Sequence, residues 1–136
     1  MPSIEQLFLM TADLEATRSF YEDGLALEPA EIGDTSIAYE TAGSELKVQA
    51  DFPPDVLDSY NISPPPEEGR GAGAVYVFGV HESLETVHER LSTAVSDGGG
   101  EILQEPQEVP WGGRILLVRD PNGYVLELRN VDNSVT

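Results

Sequence analysis

The order strand, helix, three strands occurs twice along this chain, and that repetition limits its possible folds more than any other feature. In the first half, "SIEQLFLM" (Ser3–Met10) is rich in large apolar residues and reads as a strand. Asp13 then stands as an N-cap before "LEATRSFYED", whose apolar residues recur at helical spacing, with Gly24 as the stop. Three short strands are expected near Leu27–Ile32, Ser36–Glu40 and Glu45–Ala50, separated by the turn signals "GDT" and "AGS". The second half repeats the plan. "VYVFGV" (Val75–Val80) is a strand, and Ser83 caps a helix in which Leu84, Val87, His88, Leu91 and Val95 keep helical spacing as far as "DGGG". Strands follow near Ile102–Val109, Arg114–Arg119 and Tyr124–Arg129. Between the halves, residues 51–73 hold five of the ten prolines and read as a linker or covering loop able to border a site. The expectation is one domain over residues 1–136: module 1 near 1–50, the loop at 51–73, and module 2 near 74–131. The fold class is α+β, with two βαβββ modules whose mixed sheets curl around a shared cleft.

Side chains alternate between the two faces of a strand, so each strand divides its residues between the helix and the cleft. Leu7 and Leu9 are assigned to the helix side of the first strand, leaving Gln6, Phe8 and Met10 for the cleft. In the fourth strand Leu46 and Val48 pack away from the cleft, and Glu45, Lys47 and Gln49 face it. In the fifth, Tyr76, Phe78 and Val80 take the helix side, and Val75, Val77 and Gly79 face in. In the last, Leu126 and Leu128 pack on the helix, so Glu127 is a carboxylate in the middle of a cleft face.

Charge narrows the partners. Asp and Glu number 25 against 7 Lys and Arg, a formal net charge of −18. Six of those cations are arginines (18, 70, 90, 114, 119 and 129), so Lys47 is the only lysine. Nucleic-acid and anionic-membrane partners are disfavoured, because phosphate contacts need clustered cations. The acids are dispersed, which fits a high-salt cytoplasm, where molar salt shortens the screening length to about 3 Å and removes self-repulsion. An acidic protein of ordinary salt is the alternative. The chain has no cysteine, which removes disulfides, thiolate nucleophiles and thiolate metal sites. With no membrane-length apolar run and no signal pattern at the N-terminus, a soluble cytoplasmic protein is expected.

The two most specific segments, "DLEATRSFYEDGLAL" (Asp13–Leu27) and "PWGGRILLVRDPNGYVLEL" (Pro110–Leu128), resemble the vicinal oxygen chelate superfamily, which includes glyoxalase I, bleomycin-resistance proteins and extradiol dioxygenases. The likeness covers nearly the whole chain. It implies a ligand position on the first and fourth strand of each module in the metal-dependent members, here Gln6, Lys47, Val75 and Glu127. Gln6 and Glu127 match the pattern. Val75 has no donor atom, and Lys47 replaces an expected Glu, although a two-residue shift of register would bring Glu45 or Gln49 to that position. Two ligands do not make a tight site, since an open catalytic site takes at least three protein donors. No cofactor is therefore expected; a divalent metal, if bound, would use Gln6, Glu127 and Glu45. His81 lies beyond its strand, and His88 reads as a core histidine.

If Lys47 and Glu127 share the cleft, an ammonium takes the metal's place and the carboxylate gains a partner. The competing reading has Lys47 in solvent at a strand edge. Trp111, beside a turn at the expected cleft mouth, joins Phe8, Tyr39, Phe52 and Tyr60 as a candidate apolar lining, against the reading of each as an ordinary core or loop aromatic; Arg114 is the candidate anion or carbonyl contact, against a surface ion pair. The leading expectation is a metal-independent protein of bleomycin-resistance type that holds a small apolar or aromatic ligand as a homodimer. Two enzymatic alternatives stand beside it: a metal-dependent glyoxalase-type lyase or dioxygenase using Gln6 and Glu127, and a metal-free lyase or isomerase with Glu127 as general base.

Overall fold

The computed structural model describes residues 1–132. Its strands are β1 (Gln6–Thr11), β2 (Pro29–Ile32), β3 (Ser36–Thr41), β4 (Ser44–Ala50), β5 (Val75–Val80), β6 (Glu101–Glu108), β7 (Arg114–Arg119) and β8 (Val125–Asn130). The helices are α1 (Leu14–Ser19), α2 (Pro54–Ser59) and α3 (Leu84–Gly98), with a π-helical turn at Phe20–Gly24 continuing α1. Two four-stranded sheets form, ordered β1-β4-β3-β2 and β5-β8-β7-β6, so the expected duplication is a duplication of topology. In each sheet the first and fourth strands pair in parallel and the other neighbours are antiparallel.

The helix faces of both sheets meet in a single core. Leu9, Tyr39, Leu46 and Val48 from the first module join Leu84, Val87, Leu91, Leu116, Leu126 and Leu128 from the second. Burying each such side chain contributes about 1.5–3 kcal/mol relative to leaving it in water. The alternation expected for β1, β4, β5 and β8 matches this division: Leu9, Leu46, Val48, Leu126 and Leu128 are buried, while Phe8, Val75 and Val77 are exposed.

The first helix departs from the expectation of one regular helix ended by Gly24. Asp13 does cap it, accepting from the Ala16 amide at 3.0 Å. After Ser19 the hydrogen bonding widens, with the Leu25 amide donating to the Phe20 carbonyl at 3.2 Å and the Leu27 amide to the Tyr21 carbonyl at 3.0 Å. The widening lets two consecutive aromatics, Phe20 and Tyr21, both enter the core edge to face at 4.9 Å. The left-handed residue that ends the helix is Ala26 (φ 62°), not Gly24. Gly24 instead allows close approach: a Cβ there would stand 2.8 Å from Leu91 Cδ2 on α3.

The segment after β4 is not a slack linker. It begins with α2 and returns to its starting point, where Arg70 is 5% exposed. The Arg70 guanidinium donates to both oxygens of Asp51 at 2.7 Å, to the Met10 carbonyl at 2.9 Å and to the Pro66 carbonyl at 3.0 Å. A fork-to-fork pair of this kind holds the two ends of a loop in one geometry. Gly71 (φ 73°) completes the closure, because a Cβ there would lie 2.6 Å from the ring of Tyr124.

Candidate functional site

The faces of the sheets turned away from the helices carry the candidate residues, and strand register decides which of them meet. On the first sheet Gln6 lies opposite Glu45, and Phe8 opposite Lys47. The Gln6 amide donates to Glu45 Oε1 at 3.0 Å. Glu45, the position reached by the two-residue shift, is thus the direct partner of Gln6, while Lys47 is one pair further along. On the second sheet Val75 lies opposite Val125, and Val77 opposite Glu127. The two sheets correspond pair for pair, and Glu127 occupies in the second the place that Lys47 occupies in the first.

Of the two readings of Lys47, the ion pair with Glu127 is not the one that forms. Glu127 takes Arg129 as its partner, with Nε 3.7 Å from Oε2. The two residues are next-but-one neighbours on the same strand face, so the pair needs no contact between modules. Lys47 is left half-buried on the first sheet.

For Arg114 the surface ion pair, and not the anion contact, is the reading that the structure bears out. It belongs to the helix side of β7 and forms an ion pair with Glu85 on α3. The reason is parity: Leu116 registers with Leu128 on the buried face, and Arg114 shares that face two residues earlier. Trp111 stands in the turn between β6 and β7, 70% exposed. Tyr39 is fully buried, with its hydroxyl donating to Glu22 at 2.8 Å, and Tyr60 is exposed. Of the five aromatics considered as one lining, only Phe8 and Phe52 come together, their rings 6.4 Å apart and 12° from parallel. Phe52 opens the loop, so the start of that segment lies over the open face of β1.

A cavity of about 730 Å³ spans the two modules between the free edge of β5 and the first sheet. Val75, Val77 and Phe78 line one side, and Ile4, Leu7 and Leu46 the other, with Glu45 at its border. Its volume falls in the range of small-molecule pockets. Val75 and Glu45 are therefore drawn into one space, whereas Lys47, Phe8 and Glu127 lie beside it on the open faces.

The donor set for a metal falls short of three. Gln6 and Glu45 are adjacent, but Val75 brings only methyl groups, and Glu127 is engaged with Arg129. Among the described residues no group of three or more His, Asp or Glu is placed to hold an ion. His81 pairs with Asp132 at 3.1 Å, and His88 is partly buried on the flank of α3.

Sequence reasoning missed a polar junction built by the "DPNG" turn. Asp120 Oδ1 accepts from the Asn122 and Tyr124 amides at 2.9 and 3.0 Å, and its other oxygen accepts from the Tyr21 hydroxyl at 2.7 Å. The Thr11 hydroxyl donates to Asn122 Oδ1 at 2.6 Å, and the Asn122 amide donates to Thr17 Oγ1 at 3.0 Å. The Tyr124 hydroxyl reaches the Met10 carbonyl at 2.8 Å. Burial raises the Asp120 carboxyl above its ordinary value despite the donors around it, and burial followed by the Asp120 charge raises Tyr21 well above its own. This junction ties the end of β1 to the start of β8. The signal available in sequence was the turn motif itself, a buried-strand approach followed by an Asx-turn residue.

Over residues 3–128 the sequence matches the glyoxalase/bleomycin resistance protein/dioxygenase superfamily. No curated protein matches it. Among solved structures, a glyoxalase-related enzyme from Fulvimarina pelagi is similar at 23% identity and a TM-score of 0.78, covering 96% of this chain and 88% of that one. A glyoxalase/bleomycin resistance protein/dioxygenase from Nocardioides is similar at 25% identity and a TM-score of 0.67, covering 96% and 83%. A protein of unknown function from Agrobacterium tumefaciens follows the same fold at 18% identity and a TM-score of 0.72, covering 97% and 95%. Likeness at this level of identity carries the fold and not the activity.

Proposed function

This chain belongs to the glyoxalase/bleomycin resistance protein/dioxygenase superfamily, and from that premise we propose that it is a metal-independent binder of a small apolar or aromatic molecule. The observation that carries the reading is the character of the open faces. Phe8, Val75 and Val77 are 41%, 52% and 54% exposed on sheet faces that a folded monomer leaves unpacked, and Phe52 is brought over Phe8. Phe8 with Phe52 on the first sheet, and Val75 with Val77 at the inter-module cavity, form two apolar patches of the kind that mark a binding surface rather than scattered surface hydrophobics. The donor position at Val75 cannot ligate an ion, which supports binding without metal. Ligand entry on the open faces of a homodimer in a salt-rich cytoplasm completes the reading.

The pairing of Gln6 with Glu45 favours one rival, a metal-dependent lyase or dioxygenase with Glu127 as a third ligand. Elemental analysis of protein purified in high salt without chelator separates the two. Substoichiometric metal together with saturable binding of a neutral aromatic probe, naphthamide, is the expected result. Stoichiometric divalent metal, or turnover of the hemithioacetal of methylglyoxal, would overturn it.

A further inference from the structure

The pairing of the cations singles out one side chain. Arg18 pairs with Glu22, Arg70 with Asp51, Arg90 with Glu82, Arg114 with Glu85, Arg119 with Glu101 and Arg129 with Glu127. Among the described residues Lys47 alone has no carboxylate partner, in a chain where acids outnumber cations by 25 to 7. Its polar neighbours on the same strand face are partly engaged with other groups, and neither forms a hydrogen bond or ion pair with it. Glu45, two residues along the same face, accepts from Gln6, and Gln49, two residues the other way, donates to Thr35 Oγ1 and the Ala50 carbonyl. Phe8 flanks Lys47 on β1, and Ala38 flanks it on β3. Ala38 offers a methyl group and no side-chain acceptor for the ammonium. A partly buried lysine side chain with no counter-charge in reach gains most from an acceptor that arrives with a ligand.

We propose that Lys47 is the anion anchor of the open face of the first module and that the ligand is a planar aromatic monocarboxylate. This rests on the reading of the protein as a small-molecule binder and names the class of molecule that site would take. The ring lies against Phe8 and Phe52, which are already near parallel, and the carboxylate reaches the ammonium one strand away. Neighbouring strands are about 4.8 Å apart, a span that an aromatic ring and its carboxylate bridge. A single cation matches a single negative charge. Phosphates and polyanions would need two or more cations against the field of a chain carrying −18, and none of the arginines is spare. The anchor also sets specificity, since a neutral ring of the same shape leaves the ammonium without its acceptor.

The test compares naphthoate with naphthamide, which share a ring system and differ in charge, by titration calorimetry against wild type, Lys47→Met and Lys47→Arg. Wild type is expected to bind naphthoate on the order of tenfold more tightly than naphthamide, as for a hydrogen bond to a charged group. Lys47→Met should erase that preference and leave naphthamide affinity within about twofold, while Lys47→Arg keeps much of it. Because Lys47 is the only lysine, reductive methylation with isotope-labelled formaldehyde gives one side-chain resonance besides the N-terminal amine, and it should shift with naphthoate but not with naphthamide. Equal affinity for both probes in wild type, or a preference that persists in Lys47→Met, overturns the assignment while leaving the binding function standing. Failure of both probes to bind overturns the binding function itself, and the assignment with it.

Discussion

Tyr21 and Asp120 meet at 2.7 Å across 99 positions of sequence, hydroxyl to carboxylate, both buried. The bond joins the π-helical turn of the first module to the turn before β8. Asp120 needs the donor, because a buried carboxylate that loses one keeps its desolvation cost without the compensation. Tyr21→Phe is therefore expected to destabilise the fold by about 1–3 kcal/mol, read as a lower urea midpoint with an unchanged m-value.

The same carboxyl gives a pH signature. Its pKa in the folded state is raised by burial, so between the ordinary aspartate range and that raised value the folded chain holds a proton that the unfolded chain has released. Stability from this group is present below its unfolded pKa and is lost as pH rises through the folded one. Glu22 acts oppositely. Although burial pushes its pKa upward, the hydrogen bonds from Arg18 and Tyr39 outweigh that and lower it, so its contribution is lost as pH falls. Asp120→Asn should remove the decline with rising pH and leave the loss at acid pH in place. Denaturant midpoints of the two proteins across the acid range check the sign.

Two glycines separate backbone strain from steric strain. At Gly43 (φ 91°) an added Cβ would meet nothing within 4 Å, whereas at Gly71 (φ 73°) that atom would lie 2.6 Å from the Tyr124 ring. Gly43→Ala should cost about 1 kcal/mol for the left-handed backbone alone. Gly71→Ala should cost a further ~1–3 kcal/mol for overpacking. Thermal unfolding of the two variants side by side measures the difference, and equal costs would mean that the loop gives way around Tyr124.

Replacing Arg70 with Leu removes four hydrogen bonds from the loop closure, two of them to Asp51. Asp51 is partly in water, which limits the penalty to about 1–3 kcal/mol. The local effect should exceed the global one. Limited proteolysis is expected to cut the variant within residues 52–69 under conditions that leave the wild type intact, and equal resistance would show that Phe52 and α2 hold the loop without the clasp.

Net charge makes salt a structural variable. With 25 acids against 7 cations, raising salt from about 0.1 M to about 2 M should raise the thermal midpoint, most steeply at the low end where the screening length changes fastest. A midpoint independent of salt across that interval would count against adaptation to a high-salt cytoplasm.

Much of the architecture was written locally. The two faces of β8 follow from Leu126, Glu127 and Leu128 in alternation, and α3 follows from Ser83 and a run of residues at helical spacing. The site was only partly written. Gln6 and Glu45 could each be assigned to an open face, but nothing in either strand said that they would be register partners. Tyr39 shows the opposite limit: its strand alternation was weak, and burial beside Tyr21 overrode any reading of it as a lining residue.

What the sequence determined by itself was periodic: the duplicated order of elements, the face of each strand that turns to the core, the excess of acid and the solitary lysine. Those properties depend on neighbours within a few residues or on composition, so they are present before the chain folds. What the tertiary structure decided was pairing. It matched Arg129 with Glu127 and Arg114 with Glu85, joined Tyr21 to Asp120, closed the loop through Arg70, and left Lys47 beside Phe8 without a carboxylate partner among the described residues. Those outcomes depend on which distant side chains compete for the same partner at the same distance, and only the packed arrangement of two sheets on one core settles that competition.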